Sequence, residues 1–237
     1  ICDQYFCGFI CWLVYTRTRF GDSSRIFEFP SLDRNHEGTV MYAETKASLT
    51  KTGQQGRRLR VPLPVVAPAE GLTGRPWLEK WQDLYVELGL DLKGGLMPVP
   101  NGSGKGFTSR PLTSSEATVW LHEILTAGGL SADSVSDLRT HSCRATLLSW
   151  CAKFGVKGEH RRLLGYHARP KDTSMLEYSR DAMAEPLRKL GEVLEAVARG
   201  EFLPDSSRSG YFRERRTRSP SPPVVVYPAG RVGAIHR

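Results

Sequence analysis

Several features that define common protein classes are missing from this chain of 237 residues. Its five cysteines are an odd number without a Cys-x-x-Cys pair, which argues against a disulfide framework and against a zinc site. The apolar stretch at residues 5–15 is too short to span a bilayer, and it lacks the flanks of a signal peptide. The glycine-rich residues 101–106 lack the spacing of a Walker loop. We therefore expect no membrane partner, no metal and no small-molecule cofactor.

Positive charge is what the composition has in excess. The formal net charge is +8 and the sequence pI is about 9.4, which favours a polyanionic partner such as nucleic acid. Residues 204–237 are rich in Ser, Arg and Pro, a composition that buries too little apolar surface to fold alone. We expect a folded domain at residues 1–203, a disordered basic tail at residues 204–237, and free thiols in an intracellular location, the nucleus or nucleoid.

Hydrophobic periodicity and turn signals predict a mainly α-helical domain with a small antiparallel β-hairpin, which is an α+β class. The predicted helices cover residues 5–15, 76–89, 113–126, 137–154, 157–164 and 185–199. The predicted strands cover residues 39–50 and 58–64. In the last helix, Pro186 falls in the first turn, where proline is tolerated. The apolar stripe at residues 187–197 either covers the core or docks on a neighbouring protomer.

Two imidazoles, a guanidinium and a phenol fall within 38 residues in the C-terminal half of the chain. His141 and Arg144 are three residues apart at the start of a predicted helix, so they share a face beside N–H groups that favour an anion. His167 follows the next short helix, and Tyr178 lies eleven residues further on. This set suits attack on a phosphodiester by a tyrosine oxygen, with cationic groups holding the phosphate.

The stretch at residues 138–180 resembles the catalytic core of the tyrosine recombinase (phage integrase) family. The family pattern is a His-x-x-Arg box, a Leu-Gly-His-like box and a nucleophilic tyrosine, matched here by residues 141–144, residues 164–167 and Tyr178. The interval between the two boxes is close to the family's own. Two departures are visible, because Tyr166 stands between the glycine and the histidine and the last step to Tyr178 is slightly longer than usual.

The resemblance extends upstream to Arg19. The family carries its first arginine in a Gly-x-Arg-x-x-Glu context after an apolar helix. Here Arg19 and Asp22 match the arginine and its acidic companion, and Arg17 replaces the glycine. In the family a lysine of the following hairpin acts as general acid. Lys46 and Lys51 are both candidates, and Lys51 is preferred because it lies nearer the predicted turn.

The resemblance implies a mechanism that needs neither metal nor cofactor. Tyr178 would attack the scissile phosphate and leave a 3′-phosphotyrosine and a 5′-hydroxyl. Arg19 and Arg144 would hold the non-bridging oxygens, and His167 would donate a further hydrogen bond. His141 would accept the tyrosine proton, and the hairpin lysine would protonate the leaving oxygen. The implied partner is double-stranded DNA, with a homo-tetramer as the implied assembly.

Two other interpretations stay open at this point, because each of these side chains, taken singly, has an ordinary surface, capping or packing explanation. The resembled enzymes carry an N-terminal domain that clamps DNA, and nothing of that kind precedes residue 5. This favours, as an alternative, a degenerate domain from a mobile element that binds DNA without catalysis. The other interpretation is a helical protein-interaction module that uses the stripe at residues 187–197.

Overall fold

The computed structural model describes residues 1–47, 63–167 and 179–213, and this part of the chain is a mixed α and β structure with small antiparallel sheets. The helices are α1 (Cys2–Thr16), α2 (Phe20–Ser23), α3 (Trp77–Leu88), α4 (Ser114–Ala127), α5 (Ala132–Val135), α6 (Thr140–Phe154), α7 (Gly158–Leu164) and α8 (Ser179–Ala198), with a 3-10 turn at Leu92–Gly94. The strands are β1 (Ser31–Arg34), β2 (Val40–Ala47), β3 (Leu63–Pro68), β4 (Pro98–Pro100), β5 (Phe107–Pro111), β6 (Phe202–Leu203) and β7 (Tyr211–Phe212).

Helix α1 is the centre of the core. It packs against α3, α6 and β3, and its large side chains Phe6, Phe9 and Trp12 are fully buried. Burial on several faces accounts for the almost uninterrupted apolar sequence of this helix. The predicted helix at residues 5–15 is thereby confirmed. No helix in the described ranges has both the length and the apolar composition needed to cross a bilayer.

A three-stranded antiparallel sheet in the order β1-β2-β3 lies against the C-terminal half of α1 and against α8. Strands β2 and β3 pair in the antiparallel sense that the sequence predicted, with Thr45 opposite Val65 and Tyr42 opposite Pro68. Residues 48–50 and 58–62 of the two predicted strands lie outside the described residues. The sequence did not predict β1, because Ser31–Arg34 is a short, polar edge strand without an alternating apolar pattern. Strand β3 also runs past the predicted end at residue 64 to Pro68.

Helix α8 begins earlier than predicted. It starts at Ser179 rather than at residue 185, so Pro186 lies inside the helix and not in its first turn. One missing backbone N–H is tolerated because Met183, Leu187 and Leu190 on the same helix are buried in the core on both sides of the proline. The stripe at residues 187–197 therefore covers the chain's own core.

Strands β6 and β7 form a two-stranded ribbon at the end of the described chain. The rings of Phe202 and Phe212 are stacked with centroids 4.6 Å apart, and Phe154 of α6 packs on both. The predicted boundary between residues 203 and 204 falls within this ribbon, so the first part of the Ser-rich segment contacts the core. The tail from residue 214 onward lies outside the described residues.

Candidate functional site

Helix α6 places the first two candidate side chains. It begins at Thr140, where Ser142 Oγ accepts a hydrogen bond from the Arg139 N–H at 3.1 Å and so caps the first turn. His141 is therefore in the first turn and is exposed, whereas Arg144 is one turn further on and only 4% exposed. A guanidinium so deeply buried needs hydrogen-bond acceptors.

The acceptors of Arg144 come from two distant parts of the chain. Its Nη1 donates to the Arg17 carbonyl oxygen at 2.7 Å, and its Nη2 donates to the Gly165 carbonyl oxygen and contacts His167 Nε2 at 3.2 Å. A guanidinium nitrogen can only donate, so His167 Nε2 accepts and the proton of the neutral ring is on Nδ1. Arg144 therefore joins α6 to the α1–α2 junction and to the loop after α7.

Arg19 adds a second guanidinium to this cluster. It is the residue immediately before α2, and its Nη1 lies 3.7 Å from the carboxylate of Asp22, its predicted acidic companion. Burial lowers the pKa of Arg144, and the nearby charge of Arg19 lowers it further. The pKa of His167 is lowered in the same way by burial, by Arg144 and by Arg19. These three groups are therefore close enough to repel one another.

The buried carboxylate of Asp22 offsets part of this repulsion, because its charge raises the pKa of Arg144. In residues 1–47, 63–167 and 179–213 no carboxylate lies within salt-bridge distance of Arg144. An anion bound beside Arg144, Arg19 and His167 would relieve the repulsion that, after burial, lowers the pKa values of Arg144 and His167. The geometry therefore suits an oxyanion, since guanidinium and imidazole N–H groups are the donors that phosphate oxygens accept.

His141 is connected to this cluster through a cavity that it shares with Arg19. Together with Arg19 it lines an open cavity of about 690 Å³. Lys46 is exposed on β2, whereas Lys51 and Tyr178 lie outside the described residues. The structure thus brings Arg19, Arg144 and His167 together, with His141 on the cavity that Arg19 shares. Tyr178 immediately precedes Ser179, the first residue of α8.

The two residues that depart from the resembled pattern contact each other. Arg17 is fully buried, and its Nη2 donates to the Tyr166 hydroxyl at 3.3 Å and to the Val66 carbonyl oxygen at 3.2 Å. Its Nε donates to the Leu164 carbonyl oxygen at 3.2 Å, and its Nη1 donates to the Tyr15 carbonyl oxygen. The Arg17 side chain therefore connects α1, β3 and the end of α7.

Arg17 and Tyr166 also share an unusual backbone conformation. They are the two non-glycine residues with positive φ in the described chain, at 58° and 56°. Glycine adopts this left-handed region at little cost, whereas a side chain there is strained unless its contacts hold it. The sequence showed both residues only as departures from the resembled pattern. The signal that could have found them is their position, because Tyr166 directly precedes His167 and Arg17 lies two residues before Arg19.

Removing the Arg17 guanidinium should strongly destabilise the fold. In Arg17→Met the buried carbonyl groups of Tyr15, Val66 and Leu164 lose their donor while most of the side-chain volume is kept. Each orphaned buried polar group costs about 1–3 kcal/mol, so we expect a loss of roughly 3 kcal/mol or more in the free energy of unfolding. Urea unfolding monitored by circular dichroism measures this change.

Arg110→Met is the matched control for that substitution. Arg110 is exposed and pairs with Glu116 on the surface, so its loss should leave the free energy of unfolding nearly unchanged. If Arg17→Met and Arg110→Met were equally stable, the buried network around Arg17 would not contribute to stability.

Gly165 is required by the position of the His167 ring. A Cβ added at residue 165 would lie 2.9 Å from His167 Cδ2 and 3.2 Å from the Arg161 carbonyl oxygen. The backbone at Gly165, with φ −90°, suits any residue, so the constraint is steric. The glycine of the Leu-Gly-x-His sequence therefore lets the imidazole fold back against the chain toward Arg144.

Gly165→Ala should push the imidazole of His167 away from Arg144. If the ring contributes to a reaction at this site, a displacement of this kind lowers the rate by on the order of 10- to 100-fold. The contact itself is checked by the NMR shifts of the His167 ring. Gly191→Ala is the control, because a Cβ at Gly191 would meet open space, and it should leave those shifts unchanged.

The cysteines take no part in this site. Burial raises the pKa of Cys143, beside Arg144 on α6, to about 11, which disfavours the thiolate. Cys7 is exposed on α1. Within the described ranges, no group of three or more His, Cys, Asp or Glu side chains is placed to hold a metal ion.

Comparisons with protein-family models, with curated proteins and with solved structures gave no match to this chain.

Proposed function

We propose that this chain cleaves and rejoins DNA strands through a 3′-phosphotyrosine intermediate, with an integrase-like catalytic core. The observation that carries the proposal is the cluster of Arg144, His167 and Arg19, in which burial and then mutual repulsion lower the pKa values of Arg144 and His167, so that a bound anion would stabilise it. The order of these residues along the chain, with Tyr178 after them, also agrees with the resembled family. The proposed substrate is double-stranded DNA in the nucleus or nucleoid.

The scissile phosphate would lie against Arg144 and Arg19. Arg144 is already oriented by the carbonyl groups of Arg17 and Gly165, so it loses little conformational freedom when the phosphate binds. Extra negative charge develops on the non-bridging oxygens as the nucleophile approaches, and preoriented donors stabilise that charge most. His167, protonated on Nδ1 and accepting from Arg144 on Nε2, retains one N–H to donate.

Tyr178 is the proposed nucleophile. It follows His167 by eleven residues and directly precedes α8, which packs on α7, the helix just before His167. Attack by the phenol oxygen forms the O–P bond to the 3′-phosphate and breaks the P–O5′ bond. His141, exposed on the shared cavity, would take the phenol proton. Lys46 or Lys51 would return a proton to the 5′-oxygen.

The experiment uses the full chain and a pool of duplexes with random sequence, each with a nick close to the cleavage point. A cleaved short strand diffuses away, so the covalent intermediate accumulates. We expect a protein–DNA adduct that survives denaturing electrophoresis. Digestion of this adduct with proteinase should leave a phosphotyrosyl peptide attached to the DNA. Sequencing the DNA of the adduct would also identify the preferred cleavage site. Absence of any adduct, with the protein folded and bound to DNA, would refute cleavage.

A DNA-binding domain without catalysis is the second candidate. The left-handed Tyr166 inserted before His167, and the longer step to Tyr178, are the observations that favour it. Salt-sensitive DNA binding without an adduct would support this candidate. The helical interaction module is not favoured, because Leu187, Leu190 and Leu194 of its stripe are buried in the chain's own core.

A further inference from the structure

An open cavity lined by Arg19 and His141 lies beside the anion cluster. Its volume of about 690 Å³ lies in the range of sites for small ligands, and it is larger than one phosphate needs. The walls come from α2 and the segment after it, from the 3-10 turn, and from the first turns of α4 and α6. The cavity therefore extends from the proposed phosphate site toward other parts of the bound molecule.

The lining of this cavity is electrostatically one-sided. Arg19, Arg25, Lys93 and His141 contribute to it, and no carboxylate does among the described residues. Two of these cations are already paired, Arg19 with Asp22 at 3.7 Å and Lys93 with Asp91 at 2.6 Å, which compensates part of their charge. A negatively charged ligand is still favoured, because the basic side chains line the cavity and neither of the two paired carboxylates does.

The same cavity has an exposed aromatic wall. Phe27 is 58% exposed, although Ile26 before it and Phe29 after it are packed against the core. Ile26 is 2% exposed, and Phe29 stacks on Tyr85 with ring centroids 4.7 Å apart. Phe27 is thus an exposed ring in a segment that packs on the core at Ile26 and Phe29. An exposed aromatic ring beside basic side chains is the arrangement on which unpaired bases stack.

We propose that this cavity binds an unpaired nucleotide of the DNA substrate, next to the scissile phosphate, with its base stacked on Phe27. The proposal rests on the proposed function, since the phosphate site supplies the adjoining strand. A base inside a duplex is already stacked on its neighbours and cannot reach Phe27. The preferred substrate is therefore DNA with an unpaired nucleotide at the cleavage point. Arg25 and Lys93 contact the phosphates that flank that nucleotide.

The test is a binding measurement with a Tyr178→Phe chain, which cannot cleave, so it does not depend on catalysis. Two fluorescent duplexes are compared by anisotropy, one fully paired and one with a single-nucleotide bulge. Phe27→Ala should weaken binding of the bulged duplex by about 5- to 100-fold, the effect of losing one base–aromatic stack. Binding of the paired duplex should change by less than about twofold.

Tyr211→Ala is the matched control, because Tyr211 is another exposed aromatic, 52% exposed, and does not line the cavity. It should leave both affinities unchanged. An equal effect of Phe27→Ala on the two duplexes, or no effect on either, overturns the proposal. It is also overturned if free thymidine monophosphate binds as tightly as the bulged duplex in a Phe27-dependent way, because the cavity would then be a mononucleotide site.

The binding test and the adduct test can fail independently, so their results distinguish a wrong nucleotide site from a wrong proposed function. If wild-type protein forms the adduct and Phe27→Ala shows no selective loss, the nucleotide site is wrong and cleavage stands. If the selective loss is found and no adduct forms, the cavity binds unpaired DNA in a protein that does not cleave it. A bulge labelled with 2-aminopurine gives an independent readout, since stacking on Phe27 should quench its fluorescence and Phe27→Ala should restore it.

Discussion

Tyr178→Phe should abolish the covalent DNA adduct that the wild-type chain forms on nicked duplexes. The substitution removes one oxygen and keeps the aromatic ring, so the phosphate loses its nucleophile. DNA affinity should remain within a few-fold of wild type, because the phosphate contacts come from arginine and histidine. Denaturing electrophoresis of labelled DNA measures the adduct, and anisotropy measures the affinity.

Tyr166→Phe is the control with the same chemical change. The Tyr166 hydroxyl is buried and accepts from Arg17 and from the Val66 N–H, so it cannot approach DNA. This variant should still form the adduct. It should lose stability, because buried hydrogen bonds contribute about 1 kcal/mol each. Adduct formation by Tyr178→Phe, or its loss in a folded Tyr166→Phe, would contradict the assignment of the nucleophile.

Arg144→Ala should slow adduct formation by about 100- to 1000-fold, the usual effect of removing one donor that stabilises developing charge. The loss should appear in the single-turnover rate at saturating DNA more than in DNA affinity, because the contact strengthens in the transition state. A second expected change is a rise in the pKa of His167, since the Arg144 charge is one cause of its lowering. NMR titration of the ring follows that pKa.

Arg144→Ala also removes donors to the buried carbonyl groups of Arg17 and Gly165, so folding must be measured alongside the rate. Arg144→Lys keeps the positive charge and loses the planar fork, and its rate should fall between wild type and Arg144→Ala. Arg19→Ala is the complementary variant. Because the Arg19 side chain is 34% exposed, its removal should cost less stability than the removal of Arg144. Arg19→Ala should still slow adduct formation to a similar extent. Unchanged rates in folded Arg144→Ala and Arg19→Ala would remove the basis of the anion site.

The sequence predicted the elements whose signals are local. The α6 helix with His141 in its first turn, and the end of α7 at Gly165, follow from periodicity and stop signals within a few residues. Edge strand β1 and the true start of α8 were missed, because tertiary packing decides both. Pro186 is accepted inside a helix since neighbouring apolar side chains hold that helix in the core.

The candidate site was predicted only in part for a related reason. Types and order of residues pointed to Arg19, Arg144 and His167, but nothing in the sequence said that Arg144 would be buried on the Arg17 carbonyl oxygen, 127 residues away along the chain. The contact between Arg17 and Tyr166 spans 149 residues. Such partners follow from the packing of α1 on α6 and β3, which residue spacing does not encode.

The most direct test of the anion site is a crystal structure of the chain grown with tungstate, a tetrahedral oxyanion that is easily located by its anomalous scattering. The account predicts one strong peak with oxygens about 2.7–3.2 Å from nitrogens of Arg144 and His167, and with the Arg19 guanidinium turned toward it. Tungstate bound elsewhere while this cluster holds no anion, or an Arg19 side chain directed away from Arg144, would contradict it.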